Sequence, residues 1–372
     1  QKTVKADLLA LFNQFQESFS SQLINEIELS LVELNNNLQC LQPDEESFYF
    51  IINSDFINQI VILLINPPSY EIYQPIIHLI INLFKISIKY DKPEIFERFN
   101  SIEDFDLLQY LLMKINPNYK ENPNQEISQI LLQIDMILLP HFLHLISFYY
   151  IKMNDEIRDL IFQVVINPNI NFLFQFLDDQ ELTLNVSRLV FLSTKYPIKN
   201  IQFEYIISII KFFIDNIKSL DMKSQRYFFK AINNLADDEN VMKYLFDSNF
   251  DGLIEFYISI KRIELIDDKS LECALTLKLK MLCANCECVT VSYLILINII
   301  NSKFNGSKKV AFDFLKKAIE LRLNDKPFND DQLFNYFINS MKNGKFELKS
   351  EFIRVIEVWL VKSSAFEILN RS

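Results

Sequence analysis

The sequence predicts an all-α protein in which short helical repeats stack side by side into an α-α superhelix without β-sheets. Apolar residues recur at the three-to-four-residue spacing of helices almost everywhere, as between Ile206 and Ile217. Only three glycines occur in 372 residues, although tight hairpins and phosphate-binding loops depend on glycine. A helix–turn–helix–helix unit recurs about every 40 to 45 residues.

The length also favours a stacked array. At 372 residues the chain exceeds the roughly 250 to 300 residues at which single hydrophobic cores stop growing. Half of the residues are hydrophobic and 34 are phenylalanine, so a large core can form. No single unit can bury its apolar face alone, and neighbouring units must therefore stack. We expect a right-handed solenoid of about seven to eight repeats in a single domain, residues 1–372.

Along the chain, residues 1–45 are predicted to form an irregular first repeat, residues 46–325 the core repeats, and residues 328–372 the C-terminal capping helices. Breaks between helices fall at clusters of Asn, Pro, Asp and Ser. In three places a short polar turn, an apolar residue and a new apolar helix follow one another. The longer helices that come next are predicted at Pro75–Ile88, Thr183–Thr194 and Leu271–Cys283.

The longest nearly apolar stretch runs from Met136 to Ile151. It is shorter than the roughly 20 residues needed to span a bilayer, and it contains Pro140, His141 and His144. We therefore predict a buried core helix here and no membrane partner.

The charge balance bears on the kind of partner. The chain has 48 acidic and 37 basic residues and a net charge of −11, which opposes nonspecific association with nucleic-acid phosphates and anionic lipid. A basic protein partner is the natural complement, and no direct nucleic-acid contact is expected. The alternative is that the acidic residues only keep a hydrophobic chain soluble.

The five cysteines are an odd number, which fits a reducing compartment. Cys283, Cys286 and Cys288 have a spacing at which thiolates can share zinc. No fourth ligand is evident nearby, because the three histidines lie far upstream. We expect structural thiols at a helix end, with no metal and no cofactor.

Three stretches carry a family resemblance: Phe50–Leu64 with Ile76–Leu83, Lys230–Ala236, and Arg158–Leu173. They resemble the armadillo repeat and, within that superfamily, the importin-α (karyopherin-α) nuclear import adaptors. In that family a short turn leads to a third helix with the pattern Ala-Trp-x-x-x-Asn-Ile-Ala. The repeat pattern extends from about residue 20 to residue 362, whereas the importin-like matches cover only the three stretches.

The resemblance implies a concave groove lined by the third helices, in which Asn binds the backbone of an extended basic peptide and Trp holds its basic side chains. It places Asn82 and Asn234 at the groove Asn positions, and His78 and Lys230 where the family has Trp. His144 occupies the equivalent place in an intervening repeat. The Trp ladder is missing.

Each of these positions also has a structural interpretation. Asn82 and Asn234 suit residues that cap or cross-link neighbouring helices. His78 and His144 stand in similar strings, His-Leu-Ile-Ile-Asn and His-Leu-Ile-Ser-Phe, and suit either groove lining or the core. The single tryptophan, Trp359, suits a core or capping position.

The resulting hypothesis is a divergent importin-α-like adaptor that binds basic or extended peptide segments of cargo, has an importin-β-type carrier as a further partner, and works in cytoplasm and nucleus. The alternative is an armadillo scaffold for cytoskeletal, signalling or degradation partners. No nucleophile elbow, catalytic histidine arrangement or distinctive carboxylate pair is recognisable. The sequence therefore predicts a binding protein and not an enzyme.

Overall fold

The structure is a computed structural model that describes residues 8–40, 43–103, 105–117, 120–121, 136–175, 178–196, 201–259, 266–290, 292–322, 335, 338–339, 342 and 346–362. Within these ranges the regular elements are all helices, and no strand occurs. This confirms the predicted all-α class and is compatible with an α-solenoid. The chain forms two compact units, residues 1–189 and residues 190–372.

The first unit consists of helices joined by short turns. They are α1 (Leu8–Ser21), α2 (Ile24–Cys40), α3 (Glu45–Asn53), α4 (Phe56–Ile65), α5 (Tyr70–Lys89), α6 (Pro93–Asn100), α7 (Leu107–Ile115), α8 (Leu139–Lys152), α9 (Asp155–Ile161), α10 (Ile170–Leu173) and the beginning of α11 (Gln180–Lys195). A π-helical segment, Phe162–Ile166, continues α9. The long helix α5 packs against α2 on one side and α8 on the other.

Aromatic side chains fill the space between these helices. The ring of Phe84 on α5 lies 4.9 Å from the ring of Phe96 and 5.4 Å from that of Phe99. Phe84 is 1% exposed, and full burial of such a side chain contributes about 1.5 to 3 kcal/mol. A change of Phe84 to Ala would leave a cavity where α5, α6 and α8 meet.

Polar side chains set where several helices begin. Asp44, Asp106 and Asn154 each accept a hydrogen bond from a backbone N–H three residues later, at the first turns of α3, α7 and α9. Such caps satisfy donors that have no partner inside the helix. Helix α5 begins earlier than predicted, at Tyr70, so that Pro75 lies inside it. The buried side chains of Ile72 and Tyr73 account for the extra turn.

The second unit begins within α11. Its helices are α12 (Phe203–Asn216), α13 (Met222–Leu235), α14 (Glu239–Asp247), α15 (Phe250–Tyr257), α16 (Asp268–Ala284), α17 (Tyr293–Asn301), α18 (Asn305–Arg322) and α19 (Phe346–Lys362). Helix α13 packs on α16, α16 on α18, and α18 on α19. Each long helix therefore contacts the long helix of the following repeat.

The predicted turns and long helices are confirmed locally. Phe56, Ile170 and Phe250, the apolar residues expected after the three polar turns, begin α4, α10 and α15 and are buried. The long helices predicted next lie inside α5, α11 and α16. Trp359 is 2% exposed on α19, as expected for a core aromatic.

Of the predicted capping segment, residues 328–372, the structure describes α19 and a few positions before it. Residues 363–372 and most of 328–345 lie outside the described residues. The single repeat array predicted for residues 1–372 stays a prediction. Among the described helices, no single one has the length and apolar content of a membrane span; only α3 and α4 taken together do, and they are bent by 54°.

Candidate peptide-binding surfaces

Asn82, predicted to line a groove, lies inside the helix packing of the first unit. It is 6% exposed, and its Nδ2 donates to Oδ1 of Asn35 on α2 at 3.0 Å. Asn35 in turn donates from Nδ2 to the carbonyl of Pro75 at 2.8 Å. Asn82 therefore cross-links α5 to α2, which is the structural alternative considered for this residue.

A bond like that of Asn35, from a side-chain amide to a backbone carbonyl of a neighbouring long helix, recurs in both units. Asn185 on α11 donates to the carbonyl of Pro140 on α8 at 3.0 Å. Asn233 on α13 donates to the carbonyl of Cys273 on α16 at 2.8 Å. The paired residues are 40 to 45 positions apart, which is one repeat. A side-chain amide thus joins three pairs of long helices, α2 with α5, α8 with α11 and α13 with α16, because an amide between packed helices needs a partner.

Asn234, the other predicted groove asparagine, has a different environment. It follows Asn233 directly, and the turn of the helix places it on the exposed side of α13. Its Nδ2 donates to Oγ1 of Thr194 at 3.2 Å. In the described part of the chain this is its one hydrogen bond, so the amide keeps a second N–H and a carbonyl for another partner.

Lys230 lies one turn before Asn234 on α13. Its Nζ lies 5.6 Å from the centre of the Phe191 ring, and that ring stacks on Tyr227 at 5.7 Å. A cation above an aromatic face is held weakly, by about 0.5 to 1 kcal/mol at an exposed site. Lys230, which the resemblance placed at a Trp position, thus brings a positive charge where a neutral ring was expected.

Lys230 and Asn234 share a pocket of about 510 Å³ in the second unit. We call it the α13 pocket, because α13 lies between the end of α11 and α16. Its lining combines one aromatic ring, two amides and several charged groups. The lining residues are Phe191, Lys195, Lys230, Asn233, Asn234, Lys269, Glu272, Cys273 and Thr276.

The charge of the α13 pocket is positive. Three lysines line it, Lys195, Lys230 and Lys269, against one carboxylate, that of Glu272. Lys280, nearby on α16, is engaged elsewhere, since its Nζ lies 2.7 Å from the Asp237 carboxylate. The acidic residues expected around a groove for basic peptides are therefore not gathered here.

Cys273 is the thiol of the α13 pocket. Its pKa is raised to about 11, mainly by burial, with Lys230 lowering it and Glu272 raising it. A thiol with this pKa is protonated at neutral pH and is a poor nucleophile. The pocket therefore offers charge and hydrogen bonds to a ligand and no activated nucleophile.

His78 and His144 lie together in the first unit, apart from Asn234 and Lys230 in sequence. His141, which was predicted only to lie in a buried helix, belongs to the same group of side chains. The rings of His78 and His141 meet edge to face, with centres 4.4 Å apart. His144 stacks on Phe148, four residues later, at 5.2 Å.

The three cysteines near residue 285 do not form a cluster with metal ligands. Cys283 and Cys288 are exposed, and Cys286 and Cys288 belong to a short 3₁₀ turn after α16. In the part of the chain that the structure describes, no group of three or more His, Cys, Asp or Glu side chains is arranged to hold a metal ion.

Sequence reasoning missed Asn35, Asn185 and Asn233. Their spacing could have indicated Asn35 and Asn233, because each lies 40 residues, about one repeat length, before the residue that it contacts in the next long helix. Asn is frequent in this chain, and its polar turns also contain it. Only the packing of the helices distinguishes the asparagines that bridge two helices from the other asparagines.

Comparison with known proteins gives the fold and no family. No family model matches the chain, and no curated protein matches it. A crystal structure of an engineered protein from the Northeast Structural Genomics Consortium is similar, with a TM-score of 0.56, 13% identity, and 94% of this chain and 88% of that chain covered. At this identity the likeness concerns the fold alone. The class is therefore an all-helical, repeat-like protein, compatible with an α-solenoid.

Proposed function

We propose that this protein is an armadillo-like scaffold that binds an extended, acidic segment of a partner protein in the α13 pocket. The observation that carries this proposal is the combination of three lysines with one carboxylate around the exposed amide of Asn234. The lysines supply charge for Asp or Glu side chains, and the amide supplies a donor and an acceptor for the peptide backbone.

The charge of the α13 pocket is opposite in sign to the net charge of the whole chain. The whole chain has more acidic than basic residues, 48 against 37, whereas the α13 pocket has three lysines and one glutamate. A positive pocket on a negative protein selects acidic segments and at the same time disfavours nonspecific binding of polyanions.

The affinity of the α13 pocket for an acidic segment depends on how exposed its lysines are. Single exposed ion pairs contribute only about 0 to 1 kcal/mol each, so three lysines give moderate affinity. Such an interaction weakens with salt, because charges near the surface are screened over about 10 Å at 0.1 M ionic strength. We expect a salt-sensitive complex with a partner that makes further contacts elsewhere.

The importin-α-like adaptor is the second candidate, and one observation supports it: Asn234, a groove position of the family resemblance, is exposed on α13. An adaptor of that kind would bind Lys or Arg side chains beside Lys195, Lys230 and Lys269. The positive charges of these lysines would repel the Lys or Arg side chains of a basic peptide. For this reason we favour the scaffold with an acidic ligand over the import adaptor, and the two predict opposite peptide preferences.

A direct test measures fluorescence anisotropy of three labelled peptides of equal length at low salt: one rich in Asp and Glu, one rich in Lys, and one of Gly and Ser. We expect saturable binding of the acidic peptide that weakens as salt increases. Lys230→Glu should weaken it about tenfold, because it removes one attraction and adds one repulsion. Lys223→Glu is the matched control, because Lys223 is exposed on the same helix and does not line the pocket.

Preferential binding of the Lys-rich peptide would overturn the acidic-ligand proposal in favour of the import adaptor. Binding of neither charged peptide above the Gly-Ser peptide would overturn both. Equal weakening by Lys230→Glu and Lys223→Glu would mean that net charge, and not the α13 pocket, determines binding.

A further inference from the structure

Positive charge reaches the α13 pocket from three helices. Lys195 belongs to α11, Lys230 to α13 and Lys269 to α16, and all three line the same pocket. Lys195 and Lys269 are exposed, and Lys230 is half-buried with its Nζ 5.6 Å from the centre of the Phe191 ring. A single anionic group in the pocket can therefore meet ammonium groups from more than one helix.

Side-chain hydrogen bonds hold the three helices together around the pocket. Asn234 of α13 donates to Oγ1 of Thr194 on α11 at 3.2 Å, and Asn233 donates to the carbonyl of Cys273 on α16 at 2.8 Å. The pocket lysine of α11 directly follows Thr194, and that of α16 precedes Cys273 by one helical turn. These contacts keep both lysines near α13.

The carboxylate of the α13 pocket has a neighbour of its own. Oε2 of Glu272 lies so close to Gly306, in the first turn of α18, that a Cβ atom on Gly306 would be 2.8 Å from it. The first turn of a helix is partly positive, because its N–H groups lack partners inside the helix, and it attracts a carboxylate. Glu272 therefore lies at the beginning of α18, where it is stabilised without the pocket lysines.

The three lysines keep their charge for a ligand. Within the described residues, none of them makes an ion pair. Nζ of Lys195 lies 5.2 Å from the centre of the Tyr196 ring, a weak contact like that of Lys230 with Phe191. Three positive charges against one negative charge leave two positive charges in excess in the pocket.

We propose that the α13 pocket binds a phosphorylated serine or threonine within the acidic segment of the partner, an inference that rests on the proposed function. One Asp or Glu side chain neutralises only one of the two excess charges. A phosphorylated serine has about 1.5 to 2 negative charges at pH 7 and three acceptor oxygens, and thus matches both the charge and the donors. Phosphorylation of the partner therefore strengthens the complex.

The phosphoryl group belongs to a protein segment and not to free phosphate. The chain has a net charge of −11 and repels small anions in general. A segment overcomes this repulsion with further contacts, and the exposed amide of Asn234 offers it a donor and an acceptor for its backbone.

The experiment measures fluorescence anisotropy with the full chain and three labelled acidic peptides that differ only at two central positions: Ser-Gly, phosphoserine-Gly and Glu-Glu. The last two have nearly the same charge. We expect the phosphoserine peptide to bind about tenfold tighter than the serine peptide, because one group forms several charge-assisted contacts. The Glu-Glu peptide should gain less.

The pH dependence gives a second readout. Phosphoserine has a pKa of about 6 and loses one of its charges between about pH 7 and pH 5, whereas free Glu, with a pKa of about 4.3, stays largely ionised. The advantage of the phosphoserine peptide over the Glu-Glu peptide should therefore disappear as pH falls. The Glu-Glu peptide controls for titration of the pocket itself.

Lys269→Gln should reduce the tenfold gain to less than about threefold, because it removes one of the two excess charges. Lys269→Arg should keep the gain, since it keeps the charge and adds donors. Lys223→Gln is the matched control, because Lys223 is exposed on α13 and does not line the pocket.

The outcomes separate this inference from the proposed function. Salt-sensitive binding of all three peptides with no advantage of phosphoserine over Glu-Glu would overturn the inference and leave the acidic-segment proposal intact. Binding of none of them would overturn both. Inorganic phosphate that displaces the phosphoserine peptide at the concentration at which the peptide itself binds would show that free phosphate is the ligand, and equal losses in Lys269→Gln and Lys223→Gln would exclude the pocket as the site.

Discussion

Nζ of Lys278 on α16 lies 2.5 Å from Oδ1 of Asp251 on α15, and the two side chains are 2% and 7% exposed. Glu255 contributes a second carboxylate at 3.0 Å from the same nitrogen. Oδ2 of Asp251 also accepts the N–H of Thr290 at 2.8 Å. One buried carboxylate therefore joins α15, α16 and the segment that follows the Cys286–Cys288 turn.

Asp251→Ala should destabilise the second unit by about 3 kcal/mol, because it leaves the buried ammonium of Lys278 with one carboxylate and removes the partner of Thr290. Replacing both members, as in Asp251→Ala with Lys278→Met, should cost less than Asp251→Ala alone. Urea unfolding followed by tryptophan fluorescence measures this, since Trp359 is the only tryptophan and lies in α19.

Asp215→Ala is the control for this measurement, because Asp215 is exposed on α12 and such changes stay within about 0.5 kcal/mol. The same loss in Asp251→Ala and Asp215→Ala would show that the buried ion pair contributes nothing to stability.

Asn35→Ala should destabilise the first unit by about 1 to 3 kcal/mol, since it removes the acceptor of Asn82 and the donor to Pro75. Asn37→Ala is the matched control: Asn37 lies two residues later, is half-buried and donates only to the Glu33 carbonyl of its own helix. Urea unfolding followed by circular dichroism gives the two free energies. Equal values would refute the role of Asn35 as a bridge between repeats.

His144 should make the first unit less stable at acidic pH. Its pKa is about 3 in the folded protein and about 6.5 in an unfolded chain. Between these values the unfolded state binds more protons, so stability falls as pH decreases from about 6.5 to 3 and is unaffected above 6.5. His144→Gln should reduce this acid-side slope. Unfolding free energies of both proteins at several pH values test it, and parallel curves would contradict the pKa shift.

Cysteine reactivity should follow exposure and pKa. Cys283 and Cys288 are exposed, whereas Cys273 is partly buried with a pKa of about 11. At pH 8 only about one Cys273 thiol in a thousand is ionised. We expect an alkylating reagent to modify Cys283 and Cys288 first and Cys273 much later, as read by peptide mass spectrometry. Modification of Cys273 at the same rate as Cys288 would contradict the buried position of its thiol.

Several features of this protein follow from the sequence alone. Helical spacing of apolar residues and the scarcity of glycine predicted the all-α class, and the turns before Phe56, Ile170 and Phe250 lie where the pattern indicated. These features are local, because a helix and its turn depend on neighbours within a few residues. The apolar character of the stretch around His141 was likewise enough to predict a buried helix.

Tertiary structure decided the roles of the polar residues. The family resemblance places Asn82 and Asn234 at equivalent positions, yet Asn82 is buried against Asn35 and Asn234 is exposed in a lysine-lined pocket. The three histidines meet only because α5 and α8 pack together. A side-chain amide or imidazole takes its role from the helix stacked beside it, and that neighbour lies a whole repeat away in the sequence.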